Sequence, residues 1–189
     1  MIAPKAVVLV LLLAGPSAAG AASFTLEAQQ RTDALRVGAE SITRDSFDTE
    51  WRVANQSGET LTIITPFYRL VLAARNAAFK NEPMKPSEPD KLLREQQDRL
   101  VIWASLLGRR EDFARFYAPR IVLADREIEP TFVQNERTAL RTEGGGYLAR
   151  CVYGFPVKEI ASKARVTLVV RDPEGKDVSR FTIDLASMR

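Results

Sequence analysis

The sequence predicts a mainly β protein, and three observations carry that prediction. Short alternating apolar segments recur before residue 66 and again after residue 120. One region of helical spacing, about 66–118, lies between them. The βαβαβ rhythm of a doubly wound parallel sheet is absent. These features describe a β-sandwich of immunoglobulin-like type carrying a helical insertion. The alternative they allow is an α+β domain with helices on one side of a twisted antiparallel sheet.

The first element is a leader. Lys5 precedes the apolar run Ala6–Ala14, which is too short to cross a bilayer core of about 30 Å as a helix, a span needing about 20 residues. Gly15 and Pro16 break the run, and Ala19–Gly20–Ala21 offers the small side chains that a signal peptidase accepts, so cleavage is expected before Ala22. The reading is therefore a signal peptide over 1–21 and a single mature domain over 22–189, exported to the periplasm or secreted, with no transmembrane anchor after cleavage.

Within the mature chain, Ser23–Ala28 alternates as a first strand, and Leu35, Val37 and Ala39 suggest a second over Ala34–Ile42. Phe47, Thr49, Trp51 and Val53 share one face of a further strand. Asn55–Gly58 is a turn, and the β-branched run Thr60–Thr65 leaves it. At Pro66 the period changes. Proline suits the first helical position and Thr65 can cap it, so a helix runs to about Phe79, its alanines allowing another element close approach. After a loop with Pro83 and Pro86, a second helix is expected from Ser87–Asp90 to Leu107. Its stripe is Leu93, Leu100, Trp103 and Leu107, its charge pairs are Lys91–Glu95, Arg94–Asp98 and Glu95–Arg99, and Gly108 ends it. A short third helix, Glu111–Tyr117, is stopped by Pro119. Strands follow at Ile121–Ala124, within 130–140 with Phe132 inward, and at Tyr147–Phe155. The final hairpin turns at Asp172–Gly175, with Val166, Leu168, Val170, Phe181, Ile183 and Leu185 facing inward.

Composition excludes much chemistry. The chain has no histidine, which removes the commonest general base near neutral pH and histidine-containing metal sites. Its one cysteine, Cys151, permits neither an intrachain disulfide nor a thiolate cluster, and its alternation with Ala149 and Tyr153 marks it as a buried small hydrophobe. Formal charge is +3, with acids and bases interspersed, so no nucleic-acid footprint is present. Asp125, Glu127 and Glu129 share one side of an extended segment, and they read as a solvated face in preference to a hard-cation site. Gly144–Gly146 precede a strand pattern, so they form a tight connection and not a phosphate loop. No catalytic residue, metal or cofactor is assigned.

What remains is a set of aromatics beside arginines, the residue types that dominate interface hot spots. Tyr68, Arg69 and Arg75 lie on the alanine-rich helix, and Phe113, Arg115, Phe116, Tyr117 and Arg120 on or after the third. The function expected is a non-enzymatic exported module that recognises another envelope or extracellular protein. The alternatives are a carrier of a small apolar or anionic ligand and a histidine-free hydrolase using carboxylates on cell-wall or polysaccharide material.

Overall fold

A computed structural model describes residues 22–189, so the leader expected over 1–21 lies outside the described residues. The fold is mainly β, with two antiparallel sheets and three helices. Sheet A contains β1 (Arg52–Ala54), β2 (Thr60–Ile64), β3 (Arg99–Gly108), β6 (Phe132–Gln134), β7 (Leu140–Arg141) and β8 (Tyr147–Pro156). Its order is β1-β2-β3-β8-β6, with β7 also paired to β8. Sheet B has the order β10-β9-β4-β5, from β4 (Ala118–Leu123), β5 (Arg126–Ile128), β9 (Arg165–Arg171) and β10 (Asp177–Asp184).

Although Ile64 and Val169 are also buried on the opposite side, alternation gives the long strands one consistently buried face. In β3 these are Leu100, Ile102, Ala104 and Leu106, and in β8 Ala149, Cys151, Tyr153 and Phe155. Sheet B contributes Ile121, Val166, Leu168, Val170, Phe181 and Ile183 to the same hydrophobic core. The inward faces expected for the final hairpin are thus observed. Its turn closes with Gly175 N–H on Asp172 O at 3.0 Å, and Gly175 takes a φ of 81° that side chains disfavour.

The helices are α1 (Ala28–Glu40), α2 (Pro66–Phe79) and α3 (Glu88–Gln96). α2 matches its sequence expectation: Pro66 opens it and Thr65 Oγ1 accepts from Tyr68 N–H at 3.1 Å. The close approach its alanines permit is made by α1. At the crossing Gly38 is so near α2 that a Cβ there would stand 2.4 Å from Val71 O and 2.7 Å from Ala74 Cβ.

Several local expectations are corrected. Residues 34–42 are not a strand, and neither are 23–28. Ala34 and Gly38, four apart, are the buried pair of a helix whose first turn is closed by Glu27 N–H donating to Gln30 Oε1 at 2.8 Å. Of the strand expected over 47–53, only β1 at Arg52–Ala54 forms, because Thr49–Trp51 is a 3₁₀ turn. The second helix stops at Gln96, and Leu100–Leu107 is extended as β3, so Trp103 and Leu107 face outward. Lys91 and Glu95 keep their helical pairing at 3.9 Å. Arg94–Asp98 and Glu95–Arg99 do not share a helix, and Arg99 Nη2 instead donates to Glu95 O at 3.2 Å. Residues 111–117 form successive tight turns, with Arg115 N–H on Asp112 O and Tyr117 N–H on Ala114 O, both at 3.1 Å. Between β2 and β3 the helices therefore span Pro66–Gln96, and they leave the outward face of sheet A partly open.

Candidate functional site

The candidate site is built on that outward face. Register places Trp103 in the middle of β3 between Thr62 of β2 and Val152 of β8. Two positions earlier on the same face, Val101 lies between Ile64 and Gly154. At Gly154 the Phe132 ring folds across the strand, so close that a Cβ at 154 would stand 2.1 Å from it. Trp103 is 43% exposed, whereas Trp51 is 1% exposed, stacked at 4.3 Å between ring centroids on Tyr68. An exposed tryptophan in a central strand gains nothing from folding that its burial elsewhere would not supply more fully.

Two hollows meet at Trp103. The smaller, about 210 Å³, is floored by Ile64, Val101, Trp103 and Phe132 and rimmed by Arg69 and Arg99. The larger, about 500 Å³, runs along α2 and α3, with Leu72, Met84 and Leu92 on its walls and Arg69, Lys80 and Lys85 at its edge. Arg69 and Trp103 line both. Among the described residues, no carboxylate lies within 4.0 Å of the charged ends of Arg69, Lys80, Lys85 or Arg99. Three acids share these hollows, Glu82 and Glu88 in the larger and Glu95 in the smaller; Glu95 is held by Lys91 at 3.9 Å, and Glu88 Oε2 accepts from Lys85 N–H at 3.0 Å. The arrangement offers an apolar floor, an exposed aromatic and cations without a carboxylate within 4.0 Å among the described residues.

The residues expected from sequence are dispersed. Arg69 is in the groove. Tyr68 is core: it packs on Trp51, and burial pushes its hydroxyl up to about 12. Arg75 is a strut, lying 4.0 Å over the Phe47 ring while its guanidinium donates to Ser41 O and Oγ. Arg120 lies on sheet B and pairs with Glu129 at 3.0 Å. Phe113, Arg115, Phe116 and Tyr117 form a separate patch beyond the Gly108 end of β3. There Phe113 packs against Gly108 and meets Tyr117 edge-on at 5.7 Å, while Arg115 covers the 68% exposed ring of Phe116 at 5.1 Å. Glu127, one of the alternating acids, is held below the usual carboxylate range by Arg171, which donates to both its oxygens. Glu129 is likewise engaged, so two of these three acids are held in ion pairs. Among the described residues, no group of three acids or thiols gathers as a metal site.

Trp103, Phe132, Met84 and Leu92 were not indicated by the sequence reading as site residues. A period-2 reading of Arg99–Gly108 would have found Trp103, because it separates Leu100, Ile102, Ala104 and Leu106 from Val101, Trp103 and Leu107.

Comparison with known proteins adds little. No family model matches the chain, and no curated protein matches it. One solved structure with a similar chain course is a protein of unknown function from Burkholderia pseudomallei. It is 7% identical, with a TM-score of 0.44, over 86% of this chain and 91% of that one.

Proposed function

We propose that this chain is an exported, non-enzymatic binding module that holds part of another envelope protein in the groove between α2, α3 and the outward face of sheet A. The observation that carries the reading is Trp103, exposed where the two hollows join, with Arg69, Lys80 and Lys85 beside it. Tryptophan and arginine are the side chains whose truncation most often costs an interface its affinity. Export rests on the leader pattern of residues 1–21, and N-terminal sequencing of the exported protein is expected to begin at Ala22.

The test places a photo-crosslinking amino acid at position 103 and, as a control, at Thr182 on the outward face of sheet B. Crosslinking in intact cells is expected to yield a discrete protein adduct from 103 and none from 182. With that partner purified, Trp103→Ala should weaken binding by about 2 kcal/mol or more. Absence of an adduct from 103, or an unchanged Kd, would overturn the reading.

A further inference from the structure

Resting on that groove, we infer that α3 is its lid: the strap of residues 83–97 that carries the helix lifts from the outward face of sheet A, about pivots beside Asn81 and Asp98, and admits the partner. The way α3 is seated sets it apart from the other helices.

Its packing is thin. α2 buries six residues between Pro66 and Ala74, whereas α3 buries Gln96 alone, with Leu92 and Leu93 only partly covered. The helix is also undercut on three sides. Asp90 and Leu93 border a hollow of about 270 Å³, Glu88 and Leu92 the one of about 500 Å³, and Glu95 and Gln96 the one of about 210 Å³. Closely packed elements leave few such spaces beneath them. Among the described residues, no backbone–backbone hydrogen bond joins residues 83–97 to the rest of the chain; those donated by Glu88, Lys91 and Gln97 stay within the strap. Segments with few buried contacts and no main-chain ties are the ones that open locally while the remainder stays folded.

Two side-chain ties hold the helix down. Asp90 pairs with Arg31 of α1 at 2.8 Å, and both side chains are exposed enough for the pair to hold weakly. Gln96 Nε2 donates to Ile64 O, but the seated helix buries Gln96 Oε1 with no donor among the described residues. Closure thus forgoes a hydrogen bond that water supplies when the helix lifts. The ends of the strap are fixed instead. Glu82 N–H donates to Ala77 O at 2.9 Å and Val157 N–H to Asp98 O at 3.0 Å. Asn81 and Asp98 take φ values of 54° and 64°, so the chain turns sharply on either side. Beneath the lid lies Ile64, which faces outward in register with Val101 yet is 2% exposed, with Glu95 and Gln96 beside it at the smaller hollow.

The motion is tested without a partner. Ile64→Cys places a thiol under the lid, and Cys151, 1% exposed on the inward face of β8, is the control in the same molecule. In the mature protein without denaturant, N-ethylmaleimide is expected to label position 64 at least about 100-fold faster than Cys151, because local opening takes less free energy than global unfolding. Amide exchange in the unsubstituted protein should likewise be at least about 100-fold faster in α3 than in α2. Asp90→Lys, which sets a second cation against Arg31, should speed labelling at 64 and exchange in α3 about threefold, with Cys151 and α2 unchanged. Equal labelling of the two thiols, exchange in α3 as slow as in α2, or rates unmoved by Asp90→Lys would overturn the inference. If the crosslink from position 103 forms while α3 stays shut, the groove stands and only the lid falls; loss of the crosslink removes the admission of a partner whatever α3 does.

Discussion

At the scale of single residues, the two tryptophans have opposite fates, and that contrast separates stability from binding. Trp51 is sealed between Phe67 and Tyr68, and its Nε1 donates to Arg189 O at 2.8 Å. Trp103 has neither stacking partner nor hydrogen bond among the described residues. Trp51→Ala should therefore cost about 3–5 kcal/mol of stability, through lost burial and an unfilled cavity. Trp103→Ala should cost about 1 kcal/mol or less, because the side chain is already half in water. Urea denaturation of both variants checks the pair. Acrylamide should quench only part of the parent's emission and almost none of that of Trp103→Phe; full quenching in that variant would show that Trp51 is not sealed. The same contrast shows what the sequence could disclose at this scale. Phe47–Val53 placed Trp51 on an apolar face, correctly as to burial though not as to strand. For Trp103 the sequence points the wrong way, because Leu93, Leu100, Trp103 and Leu107 recur at helical spacing and place it inward.

At the scale of elements, legibility followed the clarity of the period. α2, β2, β8 and the β9–β10 hairpin each carry one period bounded by a strong signal: Pro66, the Asn55–Gly58 turn, the glycines 144–146, and Asp172–Gly175. β3 has apolar residues on both faces, so Leu100–Leu107 is nearly continuous and fits a buried helix as well as a strand. The break before it settles the matter in the structure, where Gln97 leaves the helical path at a ψ of 138° and Asp98 follows with a φ of 64°. In α1, Leu35, Val37 and Ala39 alternate as in a strand, yet the side that packs is Ala34 and Gly38. That packing is testable at Gly38. On an exposed helix face Gly→Ala stabilises by about 1 kcal/mol. Here the added methyl would meet the α2 backbone at Val71 O and the side chain of Ala74, a collision that costs about 1–3 kcal/mol. Gly38→Ala is expected to lower the urea midpoint without changing its slope, and a raised midpoint would show that the two helices separate freely.

At the scale of the whole molecule, the absence of histidine and the burial of tyrosine together shape the dependence of stability on pH. With no imidazole to titrate, stability should be level from about pH 6 to 8. On the acid side, Arg171 donates hydrogen bonds to Glu127 and Asp177 and holds both carboxyls below their ordinary range. Their contribution is present above the usual carboxylate pKa and is lost as pH falls through the lowered one, and both groups are too exposed for the loss to be large. On the alkaline side the sign is opposite. Burial pushes Tyr68 up to about 12 and raises Tyr153, Tyr117 and the Cys151 thiol. In the unfolded chain the thiol ionises near pH 8.5 and the phenols near pH 10. Above those values the unfolded state binds fewer protons than the folded one, so stability falls as pH rises. Below about pH 8 it is fully retained. The expected loss between pH 9 and 12 is on the order of a few kcal/mol, most of it from Tyr68 and Tyr153 in the core between the sheets and α2. Urea denaturation across pH 5–12 measures it, and Tyr68→Phe, which keeps the stacking on Trp51 and removes the ionisable group, should flatten the alkaline limb. A stability change centred near pH 6.5, or an alkaline limb unchanged in Tyr68→Phe, would contradict a fold whose core is closed over its phenols.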